Sequence, residues 1–189
     1  MRGTGWEMTY LNSGAGLPAV SSNSFLLIPH TVIDLDEFTE NHDRYLVSVF
    51  DEPARAAALW RERLKRNPYG DDGFVEIQHY GRELISCDLW DQVSGIWHSL
   101  VELISDFLNH GAAETSFPGQ PTPMRLHRQR RTVLLTINTD TTVVDPDTFF
   151  PGILDEAERY FQWVVEHIGT QTDDITAVRQ VRDRLDIHR

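Results

Sequence analysis

Thiols and ammonium groups are nearly absent from this chain, which has one cysteine, Cys87, and one lysine, Lys65. A single thiol excludes an internal disulfide and a thiolate-built zinc site. It fits a reducing compartment. The N-terminus, MRGTGWEMTY, lacks the basic and apolar regions of a secretory leader, and the C-terminus, RDRLDIHR, carries no lipidation motif. A cytoplasmic protein is expected. Long apolar runs are missing too. None approaches the roughly 18–20 residues that span a bilayer, so no membrane contact is expected. Positive charge is scarce: 17 Lys and Arg face 29 Asp and Glu, for a net charge of -12. A nucleic-acid binder needs a positive field to displace counterions from phosphate, so nucleic acid is not an expected partner. An acidic surface steers basic proteins instead, although net charge is first a statement about solubility.

Several catalytic signatures are also missing. Gly3, Gly5, Gly14 and Gly16 make neither GxxxxGK[ST] nor a strand-borne GxGxxG, so phosphate and dinucleotide binding have no support. There is no GxSxG elbow and no HExxH. No cofactor and no metal are expected.

What is present is an ordinary globular composition, with 189 residues, 40% apolar and 24% charged. It suits one domain over residues 1–189 that buries a core without staples. Residues 1–24, rich in Gly, Ser and Asn, read as a flexible N-terminal segment in which Trp6 is a possible packing point. FLLI (25–28) reads as a short strand ended by Pro29. Asp34 to Phe50 reads as helix from the spacing of Leu35, Phe38, Tyr45, Leu46 and Val49, with LVSVF pulling toward strand. Asp51-Glu52-Pro53 opens a second helix, stopped at Asn67-Pro68-Tyr69-Gly70. FVEIQHY (74–80) and ELISCDL (83–89) flank Gly81-Arg82 as a hairpin.

The clearest helix is 91–109, with Trp97, Leu100, Ile104 and Phe107 on a wide apolar stripe ended by Gly111. These four are expected to pack against strands 74–89 and 131–138. After the connector FPGQPTP (117–123), residues 124–138 read as a second hairpin. A long helix runs from Asp145 to about His167, and a last one covers about 173–186. The order predicts an α+β domain: a ββαββα core over 74–168, with an antiparallel sheet of about four to five strands and about four helices.

The candidate sites follow from charge. From Asp71 to Pro123 there are nine acids and one cation, Arg82. Trp90 lies between Asp88 and Asp91 at a strand-to-helix junction. His98, Glu102 and Asp106 follow at a spacing of four on one helix face. Asp88, Trp90, Asp91, His98, Glu102 and Asp106 are the expected partner-binding residues, with Trp90 as an exposed aromatic anchor. As metal ligands, His98 and Glu102 with Asp91 and Asp106 would need convergence that a solvated polar face does not provide. A rival catalytic reading places Cys87 near His79, or uses paired carboxylates such as Asp71–Asp72, Asp88/Asp91 or Asp155–Glu156. Cys87 is otherwise an ordinary buried residue. Two basic clusters, Arg55 to Arg66 and Arg125, Arg128, Arg130 and Arg131, serve internal charge balance or grip an anionic partner.

WDQVSGIWHSLVELISDFLNHG, then FPGQPTPMRL, then DTFFPGILDEAERYFQWV resembles small acidic bacterial proteins of the toxin–immunity type. The resemblance covers about residues 74–168 and leaves 1–70 outside. It implies inhibition by binding, with an acidic protein masking a basic toxin, and it transfers no functional residue. The expected function is therefore a non-enzymatic cytosolic binder of a basic protein. A small enzyme with a carboxylate or Cys/His site is the first alternative, and an oligomeric structural or regulatory module the second.

Overall fold

The computed structural model describes residues 18–29, 32–66, 70–169 and 173–187. The first half contains β1 (Val20–Leu27), α1 (Leu35–Asn41), a 3-10 turn (His42–Arg44), β2 (Leu46–Ser48) and α2 (Pro53–Leu64). Next come β3 (Asp72–His79), β4 (Arg82–Glu83), β5 (Asp91–Gln92) and α3 (Val93–His110). The chain continues with β6 (Ala112–Ser116), β7 (Pro123–Gln129), β8 (Thr132–Ile137) and β9 (Asp140–Val144), then α4 (Pro146–His167) and α5 (Asp173–Ile187). No helix among the described residues is long and apolar enough to cross a membrane.

The fold is α+β, with two antiparallel sheets. One has the order β2-β1-β3-β4, with β5 also on β3, and the other is the meander β6-β7-β8-β9. The strands expected in one sheet are thus divided between two of that size. The cause lies in α3. Its buried residues Val93, Ile96, Trp97, Leu100, Val101, Leu103, Ile104 and Phe107 cover nearly half of the helix circumference. One sheet face cannot cover so wide an arc. The helix packs against β1, β3 and β5 on one side, against β6 and β7 on another, and against α4 and α5. Trp97, Leu100, Ile104 and Phe107 are all buried, as expected, but the second flank is covered chiefly by β6 and β7 and not by the strand expected over 131–138.

Polar contacts fix the layers. The Trp97 indole Nε1 donates to Ser24 Oγ of β1 at 3.0 Å. The Tyr160 hydroxyl of α4 meets Ser94 Oγ of α3 at 3.0 Å. Ser22 Oγ donates to Glu156 Oε2 at 2.6 Å, and Arg159 donates to the Ser22 carbonyl at 2.8 Å, so α4 lies on β1. Their approach is close: a Cβ on Gly152 would stand 2.6 Å from the Val20 side chain. Arg63 of α2 is buried, and its guanidinium donates to the carbonyls of Leu27, Pro29, Gly70 and Asp72. It therefore ties the end of β1 to the start of β3. In sequence it looks like one more cation near a helix C-terminus.

Three readings of local structure change. The expected helix over Asp34–Phe50 is helical only to Asn41 and then gives way to a 3-10 turn and β2. Leu46 and Val47 are buried in that strand, so the β-rich tail of the segment prevails. Leu35, counted on the apolar stripe, is exposed. Residues 20–24, read as part of a flexible segment, belong to β1, because Val20 and Ser24 turn inward. Residues 1–17, including Trp6, lie outside the described residues.

The first hairpin is shorter than expected. Tyr80 and Gly81 both have positive φ, 50° and 77°, as a two-residue turn matching the strand twist requires. β4 then leaves the sheet after Glu83, and the chain returns to the same edge of β3 only at β5. The second hairpin, β7–β8, is as read. Gly111 ends α3 at φ 72°, and the Asp145 carboxylate caps α4.

Trp97→Ala removes a fully buried indole and leaves Ser24 Oγ without its donor. We expect a loss of about 3–5 kcal/mol in urea unfolding. Trp97→Phe should cost less, because most of the packing remains. An unchanged midpoint for Trp97→Ala would contradict the central position of α3.

Candidate functional site

The start of α3 is held by two carboxylates that sequence does not distinguish from solvated ones. Asp71 is buried and accepts from the Ser94 N–H at 2.7 Å, taking one of the free donors of the first helical turn. Asp91, expected to face a partner, is only 7% exposed. Its Oδ1 accepts from the Gln92 N–H at 2.7 Å and its Oδ2 from the Gly119 N–H at 2.8 Å. The reason is the connector 117–123, which returns over the helix start. A Cβ on Gly95 would stand 2.4 Å from Pro118, so this return needs a glycine on α3. Gln120 Nε2 donates to the Trp90 carbonyl. Asp91 is thus a staple between β5, which leads into α3, and the connector.

Trp90 is half-buried and packs against the core with one part of its surface. Its remaining surface lines an open groove of about 540 Å³. Asp88, Asp72 and Asp91 contribute the acids of this groove, and Val32, Ile33 and Leu35 its aliphatic rim. Asp88 is exposed. Ile33 and Leu35 were not singled out as site residues. The sequence signal for them is weak: VIDLDE sets three apolar residues among acids, and Leu35 falls at helical spacing from Phe38, which favours a core reading over an exposed one.

His98 and Glu102 lie elsewhere, beside α5. His98 Nε2 meets Asp174 Oδ1 at 2.8 Å, and its ring stacks on Phe161 at 4.9 Å. Arg184 of α5 donates to Ser105 Oγ at 2.7 Å. These residues line a cleft of about 350 Å³, with Glu102 on its edge and Val178 and Val181 in its floor. Asp106 is exposed and lines neither hollow; its backbone carbonyl accepts from His110 Nδ1 at 3.0 Å. The six expected partner-binding residues therefore divide in two. Asp88, Trp90 and Asp91 surround the groove, while His98, Glu102 and Asp106 follow the outer face of α3. The last helix was legible in sequence, but not its landing on that face, where it brings a cation.

The rival chemistry gains little from the geometry. His79 is buried, with its ring against Tyr80 and Phe149, and its Nε2 has no hydrogen-bond partner. It pairs with Arg82 at one end of β3, whereas Cys87 lies in the loop between β4 and β5. Cys87 is half-buried, and burial, then Asp88 and Glu83, push its thiol up. Such a thiol is protonated at neutral pH and a poor nucleophile. Among the described residues no three or more His, Cys, Asp or Glu side chains converge on a metal position.

The basic cluster is partly committed to the fold. Arg125 pairs with Glu114 at 2.8 Å, and Arg128 lies over the Phe107 ring at 5.2 Å. Arg130 and Arg131 are exposed at the β7–β8 turn, where Arg130 takes φ 56°.

No family model, curated protein or solved structure matches the chain.

Two measurements follow from the buried groups. Iodoacetamide at neutral pH should label Cys87 in the folded protein much more slowly than in urea, and equal rates would contradict the raised thiol. Burial holds the His79 imidazolium below the ordinary 6.5. The unfolded chain then takes up the proton first, so stability is lost as pH falls through about 6.5. His79→Phe should remove that part of the acid sensitivity. A variant with the wild-type pH profile of stability would contradict it.

Proposed function

We propose that the protein is a non-enzymatic binding protein that masks a basic protein partner through acidic side chains. This is the mode of action of the immunity-type inhibitors that residues 74–168 resemble, and the partner on this reading is a basic toxin. The observation that carries it is an excess of acidic over basic side chains. Arg82 is the only Lys or Arg from Asp71 to Pro123, and Asp88, Glu102 and Asp106 stand exposed. An excess of negative charge makes the potential around a molecule more negative and is relieved by a cationic partner. Asp91 no longer belongs among the direct contacts, since both of its oxygens are engaged within the chain.

The experiment is capture from the source cell with the full chain as bait, followed by association kinetics with the captured protein. A basic partner is expected, with an association rate falling about tenfold or more from low to high salt, as screening shortens the reach of the field. Asp88→Lys with Glu102→Lys should slow association more than it speeds release, and leave the melting temperature unchanged. An acidic partner, or association indifferent to both salt and the double reversal, overturns the proposal.

A further inference from the structure

We propose that the partner docks in the groove beside Trp90, and that the segment it inserts carries a large apolar side chain next to Lys or Arg. This rests on the reading of a basic partner and adds where it binds and by what chemistry.

Charge complementarity comes first. The lining holds three aspartates, Asp72, Asp88 and Asp91, and among the described residues no Lys, Arg or His, with Arg63 buried behind Asp72 as the nearest cation acting on it. The cleft between α3 and α5 differs: Arg184 and His98 line it beside Glu102 and Asp174. Of the two hollows that contain expected contacts, the Trp90 groove is the one whose charged side chains, among the described residues, are all acidic. An anionic ligand would meet carboxylates there. A metal ion would find both oxygens of Asp91 already accepting hydrogen bonds from backbone N–H groups.

Apolar surface comes second. Ile33 is 95% exposed and Leu35 53% exposed, and both border the groove. With Val32 and the half-buried Trp90 they form an aliphatic and aromatic rim beside the acids. A purely ionic partner would leave this rim in water. A segment with neighbouring apolar and cationic side chains would cover the rim and neutralise the acids together. Trp is also among the residues that most often anchor an interface.

The third feature is preorganisation. The far wall is Gly119 and Gln120, held by Asp91 and by the Trp90 carbonyl. Binding therefore does not have to order this wall, which lowers the entropic cost of association.

The test uses the intact chain and a random-peptide display library. Selected peptides should place Lys or Arg beside Leu, Ile, Phe or Trp. One synthetic peptide from that selection is then titrated by calorimetry. Asp88→Lys, and separately Ile33→Ser with Leu35→Ser, should raise its Kd at least about tenfold, whereas Glu102→Lys should leave it unchanged. These side chains are exposed, and an unchanged melting temperature confirms that each variant folds. Selection without a basic and apolar pattern overturns the proposal, as does a peptide indifferent to the groove variants. A dimer of the chain that dissociates in the groove variants also overturns it, by making a second copy the occupant. A captured basic partner weakened by Glu102→Lys and not by Asp88→Lys overturns the groove and leaves the general reading standing. An acidic partner overturns both.

Discussion

The architecture depends on the width of the apolar arc of α3. A helix buried over a narrow stripe needs one neighbour, whereas one buried over nearly half its circumference needs several. Here the first sheet covers one flank, the meander a second, and α4 and α5 close the remainder. The consequences reach the loops. The connector 117–123 crosses the start of α3 because β6 and β7 must both lie beside the helix. That crossing buries Asp91 and gives the Trp90 groove its wall.

Hydrogen bonds turn this packing into a defined register. Trp97 and Ser24 fix α3 on β1, Ser22 with Glu156 and Arg159 fixes α4 on the same strand, and Tyr160 joins the two helices. Arg63 performs the same task at the other end of β1, where carbonyls of two chain segments converge on one guanidinium. Buried polar groups of this kind cost desolvation unless they are satisfied. Most of them here are, which favours one arrangement of the layers over its neighbours.

Helices α3, α4 and α5 were legible because each keeps a period of 3.6 between apolar and polar residues. The β7–β8 hairpin was legible from alternation in RTVLLTIN. Strands β6 and β9 were not, because AAETS and DTTVV are short and largely exposed, so hydrophobicity leaves no period to read. The segment 34–50 mixes a short amphipathic turn with a buried strand, and one periodicity cannot describe both. At the site, the sequence located an acid-rich stretch but not the fate of each acid. Asp88 and Asp91 differ by three positions, yet one faces water and the other accepts a hydrogen bond from a residue 28 positions later in the chain. That distinction depends on a long-range return, to which a local pattern is blind.

The broken outer edge of β3 leaves little free backbone for another strand to pair with. β4 and β5 each cover only two residues at opposite ends of an eight-residue strand, and the chain between them leaves the sheet. The opposite margin of that sheet, β2, is only three residues long. Short and interrupted margins give a stray extended chain little to zip onto, one of the devices by which native sheets resist edge-to-edge aggregation. Strand addition therefore has little backbone to build on along this side. A surface read through side chains can be retuned one substitution at a time without disturbing the backbone ladder beneath it.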